Sequence, residues 1–198
     1  LILLNSPSNP TGMIYSRGEL EAIGAWALEH DILILADDIY GRLVYNGHEF
    51  TAISSLSDAL RKQTIVVNGV SKTYAMTGWR VGFAVAEPDI IAGMAKIISQ
   101  TTSNLTAVSQ YAAIEALTGD QTSIETMRQA FEERLNTIYP LLAEIPGFEV
   151  IKPQGAFYLF PNVKKAMEMK GFTDVTDFTN ALLEEAEVAL VTGAGFGA

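Results

Sequence analysis

Lys72 and Arg80 are the residues whose types and spacing first suggest chemistry in this sequence. They lie eight positions apart on one segment, SKTYAMTGWRVG at residues 71–82, which follows an apolar run. A lysine amine in a confined, desolvated pocket loses its proton more easily and can attack a carbonyl to form a Schiff base. An arginine guanidinium binds phosphate through parallel hydrogen bonds. The pair suggests pyridoxal phosphate, an aldehyde that also carries a phosphate. For these two residues alone, however, a solvated lysine and a structural arginine are the simpler interpretation.

Further polar side chains follow the apolar runs upstream. Asn9 comes after the first run, and Asp37 and Tyr40 come after the second. Each has an ordinary explanation by itself, because Asn-Pro is a common turn, aspartate a common helix cap and tyrosine a common packing residue. Together with Lys72, they occur in an order that a carbonyl-binding site could use. An aspartate would keep a pyridine nitrogen protonated, and asparagine and tyrosine could both bond the ring hydroxyl.

Apolar runs that alternate with helical patterns predict the elements that position these side chains. Strands are predicted at residues 1–4, 32–36, 64–67 and 81–86. The capping-box pattern Ser16-x-x-Glu19, followed by an apolar stripe, predicts a helix between the first two strands. This alternation is typical of an α/β fold with a mostly parallel sheet and helices on both faces. Ligands bind such sheets beyond the carboxyl ends of the strands, where the candidate side chains lie.

The second half of the chain is predicted to be scaffold. A long amphipathic helix is expected to begin at the pattern Thr122-x-x-Glu125 and to end before Pro146-Gly147. The other expected elements are helices at residues 88–98, 107–117 and 175–186 and strands at residues 148–151, 156–160 and 188–191.

Composition excludes several classes of function. The chain has 198 residues, of which 48% are hydrophobic, so a sizeable core can form. A net charge of −10 opposes binding to nucleic acid or anionic membranes. There is no cysteine, and the only histidines are His30 and His48, so no metal site is expected. No apolar run approaches the roughly 20 residues of a membrane span, and a cytoplasmic location is the default expectation.

Several motifs together resemble a known family. NPTG at residues 9–12, DDIY at residues 37–40 and the lysine segment at residues 71–82 look like the signatures of class I/II aminotransferases of PLP-dependent fold type I. The TGWR form most resembles the bacterial aspartate aminotransferase subgroup. PQGAFY at residues 153–158 and VTGAGFG at residues 191–197 resemble that family's small-domain motifs. The resemblance implies a PLP-dependent transaminase of amino acid metabolism, which moves an amino group between an amino acid and a 2-oxo acid.

The resemblance also assigns catalytic roles to three residues. Lys72 would form the Schiff base with the cofactor and then move the proton between the substrate α-carbon and the cofactor. Asp37 would pair with the protonated pyridine nitrogen. Tyr40 would hold the ring oxygen and so lower the pKa of the imine.

Four further residues would bind the cofactor in this resemblance. Asn9 would share the ring oxygen with the catalytic tyrosine, and Ile39 would pack on the face of the ring. Ser71 and Arg80 would bind the phosphate.

The resemblance places a PLP-binding large domain at residues 1–140 and part of a smaller α+β domain at residues 141–198. It implies a homodimer, and the chain is expected to be a fragment lacking both ends. Two positions depart from the family pattern. Thr192 stands where proline is common, and Ser99 is the nearest equivalent of an arginine that reads the distal carboxylate of aspartate. The expected substrates are therefore aspartate or a broader set that includes aromatic amino acids.

Two alternatives remain open from the sequence, and a third is outweighed by the lysine segment. A β-eliminating C–S lyase would use the same lysine, aspartate and arginine. The fold also serves as a sensing domain in transcription regulators, where the cofactor site persists without turnover. The pattern Gly193-x-Gly195-x-x-Ala198 formally fits a dinucleotide-binding fingerprint, although the helix and acidic residue that this fingerprint requires are not in the sequence.

Overall fold

A four-stranded sheet forms the centre of the first half of the chain. The computed structural model describes residues 1–197, and its strands pair in the order β1-β2-β3-β4. The strands are β1 (Ile2–Asn5), β2 (Ile34–Asp37), β3 (Thr64–Gly69) and β4 (Gly82–Val85). The first three strands are parallel, and β4 runs antiparallel to β3. The predicted mostly parallel α/β sheet is therefore confirmed.

The strand register aligns the ends that carry the candidate residues. Asn5 at the end of β1 pairs with Asp37 at the end of β2, and Asp37 pairs with Val67 in β3. Parallel strands place their carboxyl ends at one edge of a sheet. The loops that follow β1, β2 and β3 therefore leave the sheet at the same edge.

Eight helices accompany this sheet within residues 1–197. They are α1 (Arg17–Glu29), α2 (Asp58–Gln63), α3 (Val70–Thr73), α4 (Pro88–Thr101), α5 (Ala107–Thr118), α6 (Thr122–Ala143), α7 (Lys164–Lys170) and α8 (Val175–Ala186).

Helix α1 begins as the sequence predicts. The Glu19 backbone N–H donates to the Ser16 hydroxyl at 3.3 Å, and the Ser16 N–H donates to the Glu19 carboxylate at 2.7 Å. This reciprocal pair satisfies two N–H groups that have no partner within the helix. The helix packs its apolar face on the sheet, in a core made of Leu4, Leu20, Ala27, Ile34, Ala36, Ile53 and Leu60.

A second core joins distant parts of the chain. It contains residues that follow β2, a residue of α6 and a residue of the segment 153–158, which we call the PQGAFY segment after its sequence. The buried members are Tyr40, Leu43, Tyr45, Leu135 and Ala156. This core brings the PQGAFY segment to the edge of the sheet where the candidate residues lie.

Three strands predicted in the second half are absent from the described residues. Residues 148–151 contribute one bridge, Glu149 to Asn162, and the PQGAFY segment contributes one bridge, Gly155 to Val44. Residues 188–191 form no strand. Because a strand is stabilised by hydrogen bonds to a neighbouring strand, an apolar run without such a neighbour does not become one. The strand component expected of an α+β domain at residues 141–198 is therefore limited to these bridges.

The glycine pattern at residues 193–198 lacks the context of a dinucleotide site. Gly193–Phe196 form a short 3₁₀ turn that follows an extended segment instead of a strand. The last position of the pattern, Ala198, lies outside the described residues. The strand that such a fingerprint must follow is missing.

Helix α4 is only partly buried. Ile90, Ile91 and Met94 are half-buried, whereas Ile97 and Ile98 are exposed. Across residues 1–197, no helix combines the length and apolarity needed to cross a membrane. Within the same range, no three potential metal ligands cluster.

Candidate active site

Lys72 lies just beyond the carboxyl end of β3, on the one-turn helix α3. The helix is anchored by Val70, which is fully buried and whose N–H donates to the Val81 carbonyl at 3.2 Å. The Lys72 Nζ lies 5.8 Å from the ring centroid of Tyr40 and 5.4 Å from that of Phe157. The structure therefore brings the predicted lysine and the predicted tyrosine together, with two aromatic rings beside the amine.

Gly69, at the start of this helix, permits a close approach of two strands. A Cβ at this position would lie 2.7 Å from the Val81 carbonyl oxygen and 3.2 Å from the Gly82 Cα. The same Cβ would lie 3.4 Å from Cδ1 of Ile39. Any larger residue would push β4 or Ile39 away, so glycine here is required by space. The contact also places Ile39 beside the chain that leads into Lys72.

Asp37 and Asp38 are adjacent but have different environments. Asp37 ends β2 and is half-buried, and its Oδ1 accepts a hydrogen bond from the Ile39 N–H at 3.2 Å. Asp38 is only 8% exposed. Burial, together with the charge of Asp37, raises the pKa of Asp38 to about 6. Burial is the main cause of the raised pKa of Tyr40 and the charge of Asp37 adds to it, so Asp37 lies close enough to act electrostatically on the tyrosine of the site.

Tyr40 is buried at the centre of an aromatic group. Its hydroxyl lies 2.5 Å from the Tyr158 hydroxyl, and its ring meets those of Phe157 and Tyr158 edge to face, with centroid distances of 5.5 and 5.7 Å. Burial raises the pKa of Tyr40 well above its usual range, and the hydrogen bond with Tyr158 acts in the same direction. The phenol is therefore neutral across the physiological pH range and can donate a hydrogen bond.

Asn9 is held in the loop that follows β1. Its backbone N–H donates to Oδ1 of Asn5 at 2.7 Å, and its side chain is close enough to Tyr40 to lower the pKa of that phenol. The loop closes at Gly12, whose φ of +67° lies in the left-handed region that favours glycine. A Cβ at Gly12 would meet the Pro153 Cβ at 2.6 Å, so the loop is packed against the PQGAFY segment.

Arg80 and Ser71 present donors without a carboxylate partner. Arg80 is exposed and has a φ of +54°, which side chains with a Cβ rarely adopt. Its Nη1 donates to the Thr77 carbonyl at 2.8 Å, and within residues 1–197 no carboxylate lies within 4.0 Å of its guanidinium. Ser71 is half-buried beside Lys72. A guanidinium held in a strained backbone conformation with free donors suits an anionic group.

The donor set fits pyridoxal phosphate. It offers an amine, a carboxylate, a phenol, an amide and a guanidinium, which match an aldehyde, a pyridine nitrogen, a ring hydroxyl and a phosphate. The structure brings Lys72, Tyr40, Asp37, Asn9 and Ile39 to one edge of the sheet. For Ser71 and Arg80, it shows a location on the lysine segment and no direct contact with the other members.

Two aromatic residues of the site, Phe157 and Tyr158, were not among the residues that the sequence singled out. The signal was the motif PQGAFY, which the family resemblance placed with the small domain. The structure fixes this segment against the sheet edge, because the Ala156 N–H donates to the Leu43 carbonyl and the Gly155 N–H to the Gly12 carbonyl, both at 2.9 Å. The Tyr45 hydroxyl also donates to the Ala156 carbonyl.

A cavity of about 1030 Å³ adjoins the aromatic group. Asn9 and Pro10 border it on one side, and residues 157–164 border it on the other. Side chains of α7, α8 and residues 189–196 complete the lining, which is mostly apolar. A ligand near Tyr40 would therefore have open space next to it.

Comparisons with known proteins agree with this geometry. The family model described as aminotransferase class I and II matches residues 1–198. An asparagine--oxo-acid transaminase of Streptococcus mutans is 76% identical over 198 residues, covering 100% of this chain and 50% of the relative. An aspartate aminotransferase of Bacillus sp. strain YM-2 is 57% identical over 197 residues, again covering 100% of this chain and 50% of the relative.

A solved structure has the same fold. The aspartate aminotransferase of Rhizobium meliloti superposes with a TM-score of 0.92 at 38% identity, over 99% of this chain and 50% of that one. The chain thus spans about half the length of the curated relatives it matches.

Proposed function

The chain belongs to the aminotransferase class I and II family, and on that premise we propose that it carries the lysine-bearing part of the active site of a PLP-dependent aminotransferase. The observation that carries this proposal is the position of the Lys72 amine, 5.8 Å from the ring centroid of Tyr40. Asp37 is electrostatically coupled to the same tyrosine. These are the groups that transamination requires on the protein side of the cofactor.

Pyridoxal phosphate, when bound, supplies an aldehyde that bonds covalently to amines and a ring that withdraws electrons. Lys72 would hold it, and the Nζ atom would take the proton from the α-carbon of the amino acid and return it on the other side of the reaction. The Asp37 carboxylate would keep the ring nitrogen protonated. The three catalytic assignments are therefore Lys72, Asp37 and Tyr40.

The remaining residues of the site would hold and orient the group. The Tyr40 hydroxyl and the Asn9 amide would bond the ring oxygen, and Ile39 would pack on the ring face. Ser71 and Arg80 would hold the phosphate, which is supported by the unpaired donors of the exposed guanidinium. The rings of Tyr40 and Phe157 lie beside the amine, with their centroids 5.8 and 5.4 Å from Nζ.

The proposed amino donor is aspartate or asparagine. The relatives named above are an asparagine--oxo-acid transaminase and an aspartate aminotransferase. Ser99, which stands where some aspartate aminotransferases place an arginine, uses its hydroxyl locally and donates to the Lys96 carbonyl at 2.8 Å. An uncharged residue at this position is compatible with an amide side chain as well as with a carboxylate.

The proposed enzyme is a homodimer of cytoplasmic amino acid metabolism, as is typical of the family. Apolar side chains exposed on α4 and α5 support the dimer, since such surfaces mark protein contacts. The most exposed of them are Ile97, Val108, Tyr111 and Ile114.

The proposal is tested by adding pyridoxal phosphate to the protein, reducing with borohydride and mapping the modified peptide. We expect the adduct on Lys72. An adduct on Lys62 or Lys96 would contradict the assignment. Amino transfer from aspartate or asparagine should require a 2-oxo acid, whereas a C–S lyase would turn over without one and a sensing domain would bind the cofactor without turnover.

A further inference from the structure

Tyr158 makes a contact that the proposed catalytic roles leave unused. Its hydroxyl lies 2.5 Å from the hydroxyl of Tyr40, and the two residues are 118 positions apart in the chain. Tyr40 is 3% exposed, so its side chain is largely shielded from bulk solvent. We propose that Tyr158 is a positioning residue that donates a hydrogen bond to Tyr40 and thereby directs the Tyr40 proton toward the ring oxygen of the bound cofactor. This inference rests on the proposed function.

The position of Tyr158 is fixed by the backbone around it. Ala156, two residues before it, is fully buried and has a φ of +58°. The Ala156 N–H and carbonyl are bonded to Leu43 and Tyr45, respectively, in the segment that follows Tyr40. The two tyrosine hydroxyls are therefore held together by a shared frame, and their contact does not depend on flexible surface side chains.

The number of protons decides the direction of the hydrogen bonds. A phenol has one proton to donate and lone pairs to accept with, and either hydroxyl could be the donor in this pair. Once the Tyr40 proton is committed to the cofactor, the proton between the two phenols must come from Tyr158. Hydrogen bonds in such a chain polarise one another, so the Tyr158 hydroxyl makes Tyr40 a stronger donor.

Other charged or titratable groups also act on Tyr40. Asp37 raises its pKa by charge, and the Lys72 amine faces its ring at 5.8 Å from the centroid. These groups remain when only the Tyr158 hydroxyl is removed. Tyr158→Phe keeps the aromatic ring, whose centroid lies 4.7 Å from that of Phe157 and 5.7 Å from that of Tyr40. The variant therefore tests the hydroxyl alone.

The readout is the pH midpoint of the visible absorption change of the bound cofactor. A weaker hydrogen bond from Tyr40 leaves more negative charge on the ring oxygen of the cofactor. That charge makes the proton on the adjacent Lys72 nitrogen harder to remove. We expect Tyr158→Phe to raise the midpoint by about half a pH unit, the size expected from loss of one net hydrogen bond. The affinity for pyridoxal phosphate should change by less than about threefold, since the phosphate and ring contacts are retained.

Two controls separate this role from packing. Tyr139→Phe removes the hydroxyl of a tyrosine that packs against the same core and takes no part in the frame around Ala156, and it should leave the midpoint unchanged. In a Tyr40→Phe background, Tyr158→Phe should cause no further shift, because its effect passes through Tyr40. The thermal unfolding midpoint of each variant, measured without cofactor, reports any loss of folding.

Three results would overturn the inference: no shift in Tyr158→Phe, an equal shift in Tyr139→Phe, or a full shift in the absence of the Tyr40 hydroxyl. If the wild-type protein shows no visible band with pyridoxal phosphate, the proposed function fails first. A wild-type band that titrates, with a Tyr158→Phe midpoint identical to it, refutes the role of Tyr158 and leaves the proposed function intact.

Discussion

Residues 32–36 and residues 188–191 are apolar runs of similar composition, but only the first contributes a strand. Ile34 in β2 is fully buried, whereas Val191 is 77% exposed. The β2 strand has a hydrogen-bonded neighbour on each side, in β1 and β3. Residues 188–191 have no strand beside them within the described part of the chain. The comparison shows that an apolar run becomes a strand when neighbours complete its backbone hydrogen bonds.

The PQGAFY segment lies between these two cases. It forms one bridge and no strand, yet Ala156 is fully buried. Its order comes from contacts with the loops after β1 and β2. The second half of the chain is therefore most firmly packed where it meets the sheet edge, and that is where it supplies aromatic side chains to the candidate site.

The largest expected effect is the loss of activity when a lysine at the sheet edge is removed, compared with removal of a lysine in the second half of the chain. Lys72→Ala removes the amine proposed to hold the cofactor and move the α-proton, so amino transfer should fall by about 10⁴-fold. Lys170→Ala, at an exposed position in α7, should retain the wild-type rate. Steady-state kinetics with saturating pyridoxal phosphate measure both variants. Similar losses in the two would mean that the sheet edge is not the catalytic region.

A second experiment sharpens the comparison within the sheet edge itself. Asp37→Asn removes the charge proposed to pair with the ring nitrogen, and loss of one partner of a buried ion pair costs about 3–5 kcal/mol, or roughly 10²–10⁴-fold in rate. Asp38→Asn should cost less than about tenfold. The ratio of kcat values decides between the two carboxylates, and equal losses would show that the wrong one has been assigned.

Stability tests the contrast between the two apolar runs directly. Ile34→Ala should lower the free energy of unfolding by about 2–5 kcal/mol, because it leaves a cavity in a packed core. Val191→Ala should change it by less than about 0.5 kcal/mol, since the side chain is 77% exposed. Urea unfolding gives both values. A large loss for Val191→Ala would indicate that residues 188–191 are packed in solution.

The smallest expected effect is a pH-dependent change in the free energy of unfolding, caused by the burial of Asp38. Its pKa is raised from 3.8 to about 6 in the folded state, so ionisation of this carboxyl destabilises the fold. The penalty is absent below about pH 4, grows as the pH rises to about 6 and is then constant, and it is worth at most about 3 kcal/mol. Asp38→Asn should therefore gain stability relative to wild type between pH 4 and pH 7. Urea unfolding at several pH values measures this difference, and a constant difference would contradict the burial of the charge.

Local patterns were sufficient for much of the first half. The capping box at Ser16 and Glu19 was predicted from spacing and is formed. The four strands were predicted within about two residues of their observed bounds, although the antiparallel direction of β4 was not predicted. These features depend on residues near in sequence or on the strong burial of a central sheet, so the sequence alone could indicate them. Helix α6 begins at Thr122, as expected from the pattern Thr122-x-x-Glu125, but its N-cap residue is Gln121 and no side chain caps it.

The sequence by itself determined which residues are candidates for chemistry: Lys72, Asp37, Tyr40 and Asn9 follow consecutive strands, and their functional roles remain predictions. Only the tertiary structure decided that Phe157 and Tyr158 join them, because Tyr158 lies 118 positions from Tyr40 in the chain. It also decided that three apolar runs of the second half form no strands. The physical reason is common to both results. Side-chain type and periodicity are local properties, whereas a partner strand or a second hydroxyl is supplied by distant parts of the chain.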